Sequence, residues 1–314
     1  MKTFYFIFIL FFIFSCGQKQ AISPIEIKKL EYPSASSIEY IDGKLYLMGD
    51  DATNLLVLDT NFNIIDSIPI IANSARRLPK ETKPDLEASA FSVDSNQIFL
   101  FGSGAVSPYR NRGWKLDLKT KVNDSINLEP LYSKVKDSGI EQINIEGACF
   151  VAGKLLLVNR GNKGYPHNHL IITDDKFLNN DRSFQLFIIP FAAQKHLASF
   201  KGISGLCYAK ESDQLIMTVS TEDTKSTYED GAIGNSYLWI ISNISTKINN
   251  RALGSKRVID LEYIDARFKG QKIESATVIG ETNGLIHLAM VADNDDGSST
   301  VFKMSIRKTI SLAE

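Results

Sequence analysis

Apolar residues along this chain fall in short runs of four to eight, set off by Gly, Asp and Asn, and the 3.6-residue spacing of an amphipathic helix is scarce. Five segments share one order: a short strand, a turn, and a second, more apolar strand. They are SSIEYIDGKLYLMGDD from Ser36, EASAFSVDSNQIFLFGSG from Glu87, EGACFVAGKLLLVNRGN from Glu146, SGLCYAKESDQLIMTVSTED from Ser204 and ESATVIGETNGLIHLAMVADND from Glu274. A third strand is predicted after each, beginning near residues 54, 113, 169, 236 and 299, and in four cases a fourth follows near 63, 125, 184 and 256. The only helical candidate is 131–137. Four antiparallel strands, repeated radially, describe a β-propeller, and the second strands are continuous apolar runs because neighbouring blades cover both of their faces. The fifth repeat lacks a fourth strand. The β-compatible stretch 25–31 is left over at the other end and is expected to complete that blade and close the ring. The reading is therefore an all-β, five-bladed propeller of four-stranded antiparallel blades, with six blades as the alternative count, over a single domain at 16–314.

The N-terminus departs from this pattern. Lys2-Thr3 is followed by eleven apolar residues, Phe4 to Phe14, and then by Ser15-Cys16, a charge, a short apolar core and a small residue, which is too short for a normal transmembrane helix and reads as a secretory signal over 1–15. Cys16 directly after Ser15 makes it a lipoprotein-type signal, in which Cys16 carries the lipid. The body is then expected outside the cytoplasm, in the cell envelope, meeting a membrane only through the lipid anchor. The remaining cysteines, Cys149 and Cys207, fall on predicted buried strands and read as core thiols, with a disulfide between them left open. Lys plus Arg number 35 against 36 acidic residues, so nothing draws the surface toward nucleic acid.

In a propeller the first strand of each blade lines the axis, so equivalent repeat positions sit at one height. The first position reads Ser36, Glu87, Glu146, Ser204, Glu274. Three carboxylates and two hydroxyls converging on the axis would repel strongly unless protonated or neutralised, and an all-oxygen set without His or Cys suits Ca²⁺. The same face collects Asp50, Asp51, Ser103, Asn159, Arg160, Thr221, Glu222, Asp223 and Asp293, with Arg76, Arg77, Lys80, Lys83 and Asp85 on the loops that enter the blades.

At these residues the chain resembles the calcium-activated apyrases, five-bladed secreted nucleotidases. The order Ser, Glu, Glu, Ser, Glu on the inner strands is similar to theirs, as are DGKLYLMGDD from Asp42, Lys83 ahead of LEASAF, IEGACF before Arg160, and GISGLCY before SDQLIMTVSTED. PDLEASAF and NIEGACF resemble, more broadly, phytase-like propeller domains of bacterial lipoproteins. The resemblance implies a central Ca²⁺ on Ser36, Glu87, Glu146, Ser204 and Glu274. It also implies chemistry on phosphate, with Arg160 neutralising charge, Lys83 orienting substrate, and Asp50 or Asp51 positioning water. Three cationic positions of that family are replaced, at Ala52, Ser220 and near Ala105, which weakens the case for nucleotide hydrolysis.

The other motifs carry less. Asp293–Gly297 (DNDDG) lacks the glutamate of a calcium loop and reads as a hairpin turn. His167 and His169 lack a third ligand, and His287 reads as a satisfied core histidine. The expected function is a Ca²⁺-organised envelope propeller binding an unidentified ligand or partner, phosphorylated small molecules being among the candidates. A Ca²⁺-dependent hydrolase of phosphate esters or anhydrides is the alternative.

Overall fold

The computed structural model describes residues 25–308 apart from 74, 180, 193, 195–198 and 223–232. The signal segment 1–15, Cys16 and Asp223 lie outside the described residues. The first strand is β1 (Glu26–Leu30). Blade one follows as β2 (Ala35–Ile41), β3 (Lys44–Gly49), β4 (Asn54–Asp59) and β5 (Ile64–Pro69). Blade two is β6 (Leu86–Ser92), β7 (Gln97–Gly102), β8 (Arg112–Asp117) and β9 (Asn123–Asn127), and helix α1 (Glu129–Asp137) leads out of it. Blade three is β10 (Ile145–Val151), β11 (Lys154–Asn159), β12 (His169–Thr173) and β13 (Leu186–Pro190). Blade four is β14 (Lys201–Ala209), β15 (Gln214–Glu222), β16 (Ile233–Ser242) and, after α2 (Ile244–Asn250), β17 (Arg257–Asp260). Helix α3 (Leu261–Ile264) leads to β18 (Lys272–Thr282), β19 (Leu285–Asp293) and β20 (Ser299–Arg307).

Each sheet has four antiparallel strands, and the fifth is ordered β1-β20-β19-β18, so the chain start supplies the outer strand of the last blade. The ring closes as expected from 25–31. Ser299 reinforces the closure: its hydroxyl donates to the Tyr32 carbonyl at 2.7 Å and accepts from the Ala35 amide at 2.9 Å. Two predicted fourth strands are shorter than their apolar runs suggested. In SINLEPLY the strand stops at Asn127, because Pro130 lacks an amide for the ladder and suits the first turn of a helix, so α1 begins there. In KRVIDLEYI it stops at Asp260, whose carboxylate caps α3 by accepting from the Tyr263 amide at 3.2 Å.

The core lies between the blades. The second strands are almost wholly inaccessible: Leu155, Leu156, Leu157 and Val158 are all 0% exposed, alternate members facing the blade on either side. Cys149 and Cys207 are buried free thiols. His287 is satisfied on both ring nitrogens, by Ser305 at 2.7 Å and Thr282 at 3.2 Å. No helix among the described residues is long and apolar enough to cross a membrane.

Candidate functional site: the axial end of the inner strands

The five inner strands share one irregularity. The register of β2 against β3 skips Ser36; the corresponding skips on β6, β10, β14 and β18 fall on Glu87, Glu146, Ser204 and Glu274. A bulge leaves one residue out of the ladder and re-aims its side chain. All five positions singled out in the sequence are therefore bulged residues at one end of the axis. The residue after each is Ser37, Ala88, Gly147, Gly205 or Ser275, all small. Crowding explains this, since a Cβ on Gly147 would lie 2.7 Å from the Leu206 amide and one on Gly205 would lie 2.6 Å from the Glu274 carbonyl.

The five oxygens do not form one even ring. Ser36 donates to the Ser34 carbonyl at 2.9 Å, and Ser204 donates to the Ile273 carbonyl of the next blade at 2.8 Å. Glu146 is held by Arg160 at 3.5 Å and by the Asn144 amide group at 2.6 Å. Glu274 pairs with Lys272 at 2.9 Å through one oxygen, while its other oxygen is buried without a hydrogen bond. Among the described residues, Glu87 alone of the three glutamates belongs to a close acidic set: it joins Asp50 and Asp85, with ligand oxygens all within 4.8 Å of one another.

The charges around that set are unevenly answered. Lys83 bonds Asp50 closely and Asp85 at 2.8 Å, and Arg110 holds the other oxygen of Asp85 at 2.5 Å. Ser103 also donates to Asp85, at 2.5 Å. Burial lowers the proton affinity of the Lys83 ammonium, but Asp50, Asp85 and Glu87 outweigh it and hold the group above its usual range. Glu87 has no hydrogen bond or ion pair among the described residues, and burial, with Asp85, Glu146 and Asp50 nearby, pushes its carboxyl well up. Burial also lifts Asp50 to about 6, and Asp293, which faces Glu274 and Asp50, to about 7. One oxygen of Asp50 is buried without a partner.

Of the residues expected to touch a substrate, Asp50 and Lys83 sit together at the acidic set, Arg160 sits beside Glu146, and Asp51 is taken up by Arg77 at 2.7 Å. Arg77 also bridges the backbone of Ala52, so a cation missing from position 52 arrives from a loop 25 residues later. Arg110 plays the same part for the cation missing near Ala105. Arg160 reaches across β14 to the Ser220 hydroxyl at 3.2 Å, and only a glycine at 202 leaves it room, because a Cβ there would lie 2.2 Å from its Nε. Arg110 and Lys272 were not visible as site residues in the sequence; a basic residue preceding a bulged glutamate by two, as Lys272 precedes Glu274, was the available signal. The 293–298 segment is a hairpin turn closed by its own side chains, with Asp295 donating its amide to Asp293 at 3.0 Å and Ser298 to Asp296 at 2.9 Å. His169 stacks with both Tyr165 and His167, Tyr165 and His167 are tilted against each other, and no metal-ligating group of three forms around them among the described residues.

A five-bladed propeller with a partly buried, partly unanswered acidic set at one end of its axis is the class of protein these features define. The chain belongs to DUF6929, a family of unknown function, whose model matches residues 31–306. No curated protein matches it. Among solved structures it is similar to a GH43 β-1,3-galactosidase solved with galactodeoxynojirimycin, at 12% identity over 90% of this chain and 95% of that one, with a TM-score of 0.52. Two further matches are the glutaminyl cyclase of Myxococcus xanthus (12% identity, 91% and 97% coverage, TM-score 0.44) and the β-propeller domain of Cps50 (Swd1) from Myceliophteria thermophila (11%, 88% and 99%, TM-score 0.39). At such identities the likeness speaks to the fold alone.

Proposed function

We propose that this propeller is a lipid-anchored protein of the cell envelope that holds Ca²⁺ at the acidic end of its axis and binds a ligand on that face. Glu87 is the observation that carries the reading: a half-buried carboxylate with no hydrogen bond or ion pair among the described residues, its oxygen within 4.8 Å of oxygens of Asp50 and Asp85. Unpaired buried carboxylates cost several kcal/mol each, and a hard cation removes that cost. The donor set fits such an ion, since every candidate ligand is oxygen and buried oxygens of Asp50 and Glu274 have no partner. Asp50, Asp85 and Glu87 would hold it, with Ser36, Glu146, Ser204 and Glu274 around the same axis. The envelope location rests on the signal-like segment and Cys16. A bound Ca²⁺ would supply positive charge to organise the face and attract anionic groups.

Hydrolysis of phosphate esters or anhydrides is the second reading, and Arg77, Arg110 and Arg160 keep it in view because they return cations to a face that lacks them at 52, 105 and 220. Their state argues for binding instead: each is already engaged, by Asp51, Asp85 and Glu146 respectively. Free clamping donors are what phosphoryl transfer requires, one being worth about 3 kcal/mol of transition-state stabilisation.

Thermal melting in EGTA and in millimolar Ca²⁺ tests the metal. Saturation at about a hundred times the dissociation constant adds about 2.7 kcal/mol, which Glu87→Gln should abolish. Identical melting in both buffers defeats the site. Turnover of nucleoside diphosphates, nitrophenyl phosphate and phytate, compared between wild type and Arg160→Ala, separates the two readings. Robust Ca²⁺-dependent hydrolysis that collapses in the variant would establish the enzyme.

A further inference from the structure

Away from the axis, blade two carries a cavity of about 440 Å³ that the axial site does not use. Its floor is one face of the two outer strands. The pairings Arg112↔Asn127 and Trp114↔Ser125 put these four side chains on the same side of the sheet. The intervening Gly113 belongs to the other side, where a Cβ would meet Leu128 at 3.1 Å. Asn111 and Glu129 close one end, from the loop before β8 and the first turn of α1.

The polar groups are held before any ligand arrives. Asn127 accepts from the Glu129 amide at 3.0 Å, which fixes its carbonyl oxygen and leaves its amide NH₂ as a donor. Glu129 accepts from the side-chain amide of Asn111 and, at 3.1 Å, from Ser133. Asn111 is 5% exposed and its carboxamide oxygen has no partner. Trp114 packs one side on the core shared with blade one and remains half-buried. Arg112 is exposed and makes no ion pair among the described residues.

We infer that this cavity is a binding site for a neutral saccharide. An indole offers a flat apolar surface that suits the C–H face of a pyranose, and the amides, guanidinium and carboxylate around it are the mixed donors and acceptors that vicinal hydroxyls need. One Arg and one Glu leave the lining without a net charge, which disfavours an anion or cation as the primary ligand. The volume lies within the range of small-molecule pockets, and fixed amides reduce the ordering cost of binding.

Tryptophan fluorescence of the full chain reads the site selectively, because Trp239, the other tryptophan, is buried at 5% exposure. Maltotriose, cellotriose, chitotriose and galactotriose serve as probes, each titrated to about 20 mM, a range that covers millimolar affinities. At least one should give a saturable change in emission. Asn127→Asp keeps an oxygen to accept from the Glu129 amide and removes the donor, so it should weaken binding about tenfold at unchanged melting temperature. Arg112→Ala should weaken it about threefold to tenfold, measured by calorimetry so that the readout does not depend on the indole. Absence of a saturable response to all four sugars overturns the inference, as does a response that survives both substitutions unchanged. Neither result bears on Ca²⁺ at the axis.

Discussion

Two sectors of the same axial end, built on the same bulge, have opposite electrostatics. Between blades one and two, Asp50, Asp85 and Glu87 crowd within 4.8 Å and are answered by Lys83 and Arg110, with Glu87 left over. Between blades three and four, Glu146 meets Arg160, which lies over Gly202 and reaches the Ser220 hydroxyl. The backbone device is common to both, so the loops decide the charge. The first sector holds excess negative charge that a cation would relieve; among the described residues the second is close to neutral and self-contained. A repeat position can therefore define where side chains converge without defining what they do there.

That contrast can be broken most forcefully at Arg160. Arg160→Ala leaves Glu146 buried without its cation and should cost about 3–5 kcal/mol in chemical denaturation. A loss below about 1 kcal/mol would mean that the pair is solvated and the second sector is not self-contained. Gly202→Val should act through the same contact without touching a charge, forcing Arg160 off its seat for about 1–3 kcal/mol. Unchanged stability in that variant would show that Arg160 has another resting place.

Neutralising one glutamate in each sector sharpens the comparison, because the signs should differ. Glu87 has its proton affinity raised by the fold, so its contribution is full below the unfolded value of 4.5 and is lost as pH rises. Glu87→Gln in EGTA at neutral pH should therefore raise the melting temperature, by about 3 °C, equivalent to roughly 1 kcal/mol in a chain of this size. Glu146→Gln should lower it, since the charge attraction between Glu146 and Arg160 is then lost. Shifts of the same sign in both variants would erase the distinction between the sectors.

The smallest effect is expected outside the axis. Burial, with His167 beside it, lowers His169 to about 4. Its contribution to stability is full above the unfolded value near 6.5 and falls as pH drops from there toward 4, because the unfolded chain takes up the proton first. Asp50 and Asp293 titrate in the opposite sense over part of the same range, so the useful quantity is the difference between wild type and His169→Asn across pH 4 to 7. A flat difference would mean that His169 is not shielded as its position on β12 implies.

Much of this molecule follows from local pattern. Strand, turn and apolar strand repeat because each blade must bury both faces of its second strand, and the leftover 25–31 pairs with β20 because an open edge at one end needs a strand from the other. The five bulged positions are legible for a similar reason: each is followed by a small residue where neighbouring backbones nearly touch. β9 and β17 end earlier than the apolar runs suggest, because Pro130 and Asp260, both helix-starting residues, interrupt stretches that otherwise read as strand. Charge pairing at the axis was beyond reach of the sequence. Which of Asp50, Asp85, Glu87 and Glu146 receives a cation depends on where the loops at this end of the ring deliver Lys83, Arg110 and Arg160; Lys272, two residues before Glu274 on β18, is the pairing that sequence spacing could have signalled. Local propensity and repeat spacing act over a few residues, whereas a buried ion pair is set by through-space distance, so the fold had to close before the excess at Glu87 existed.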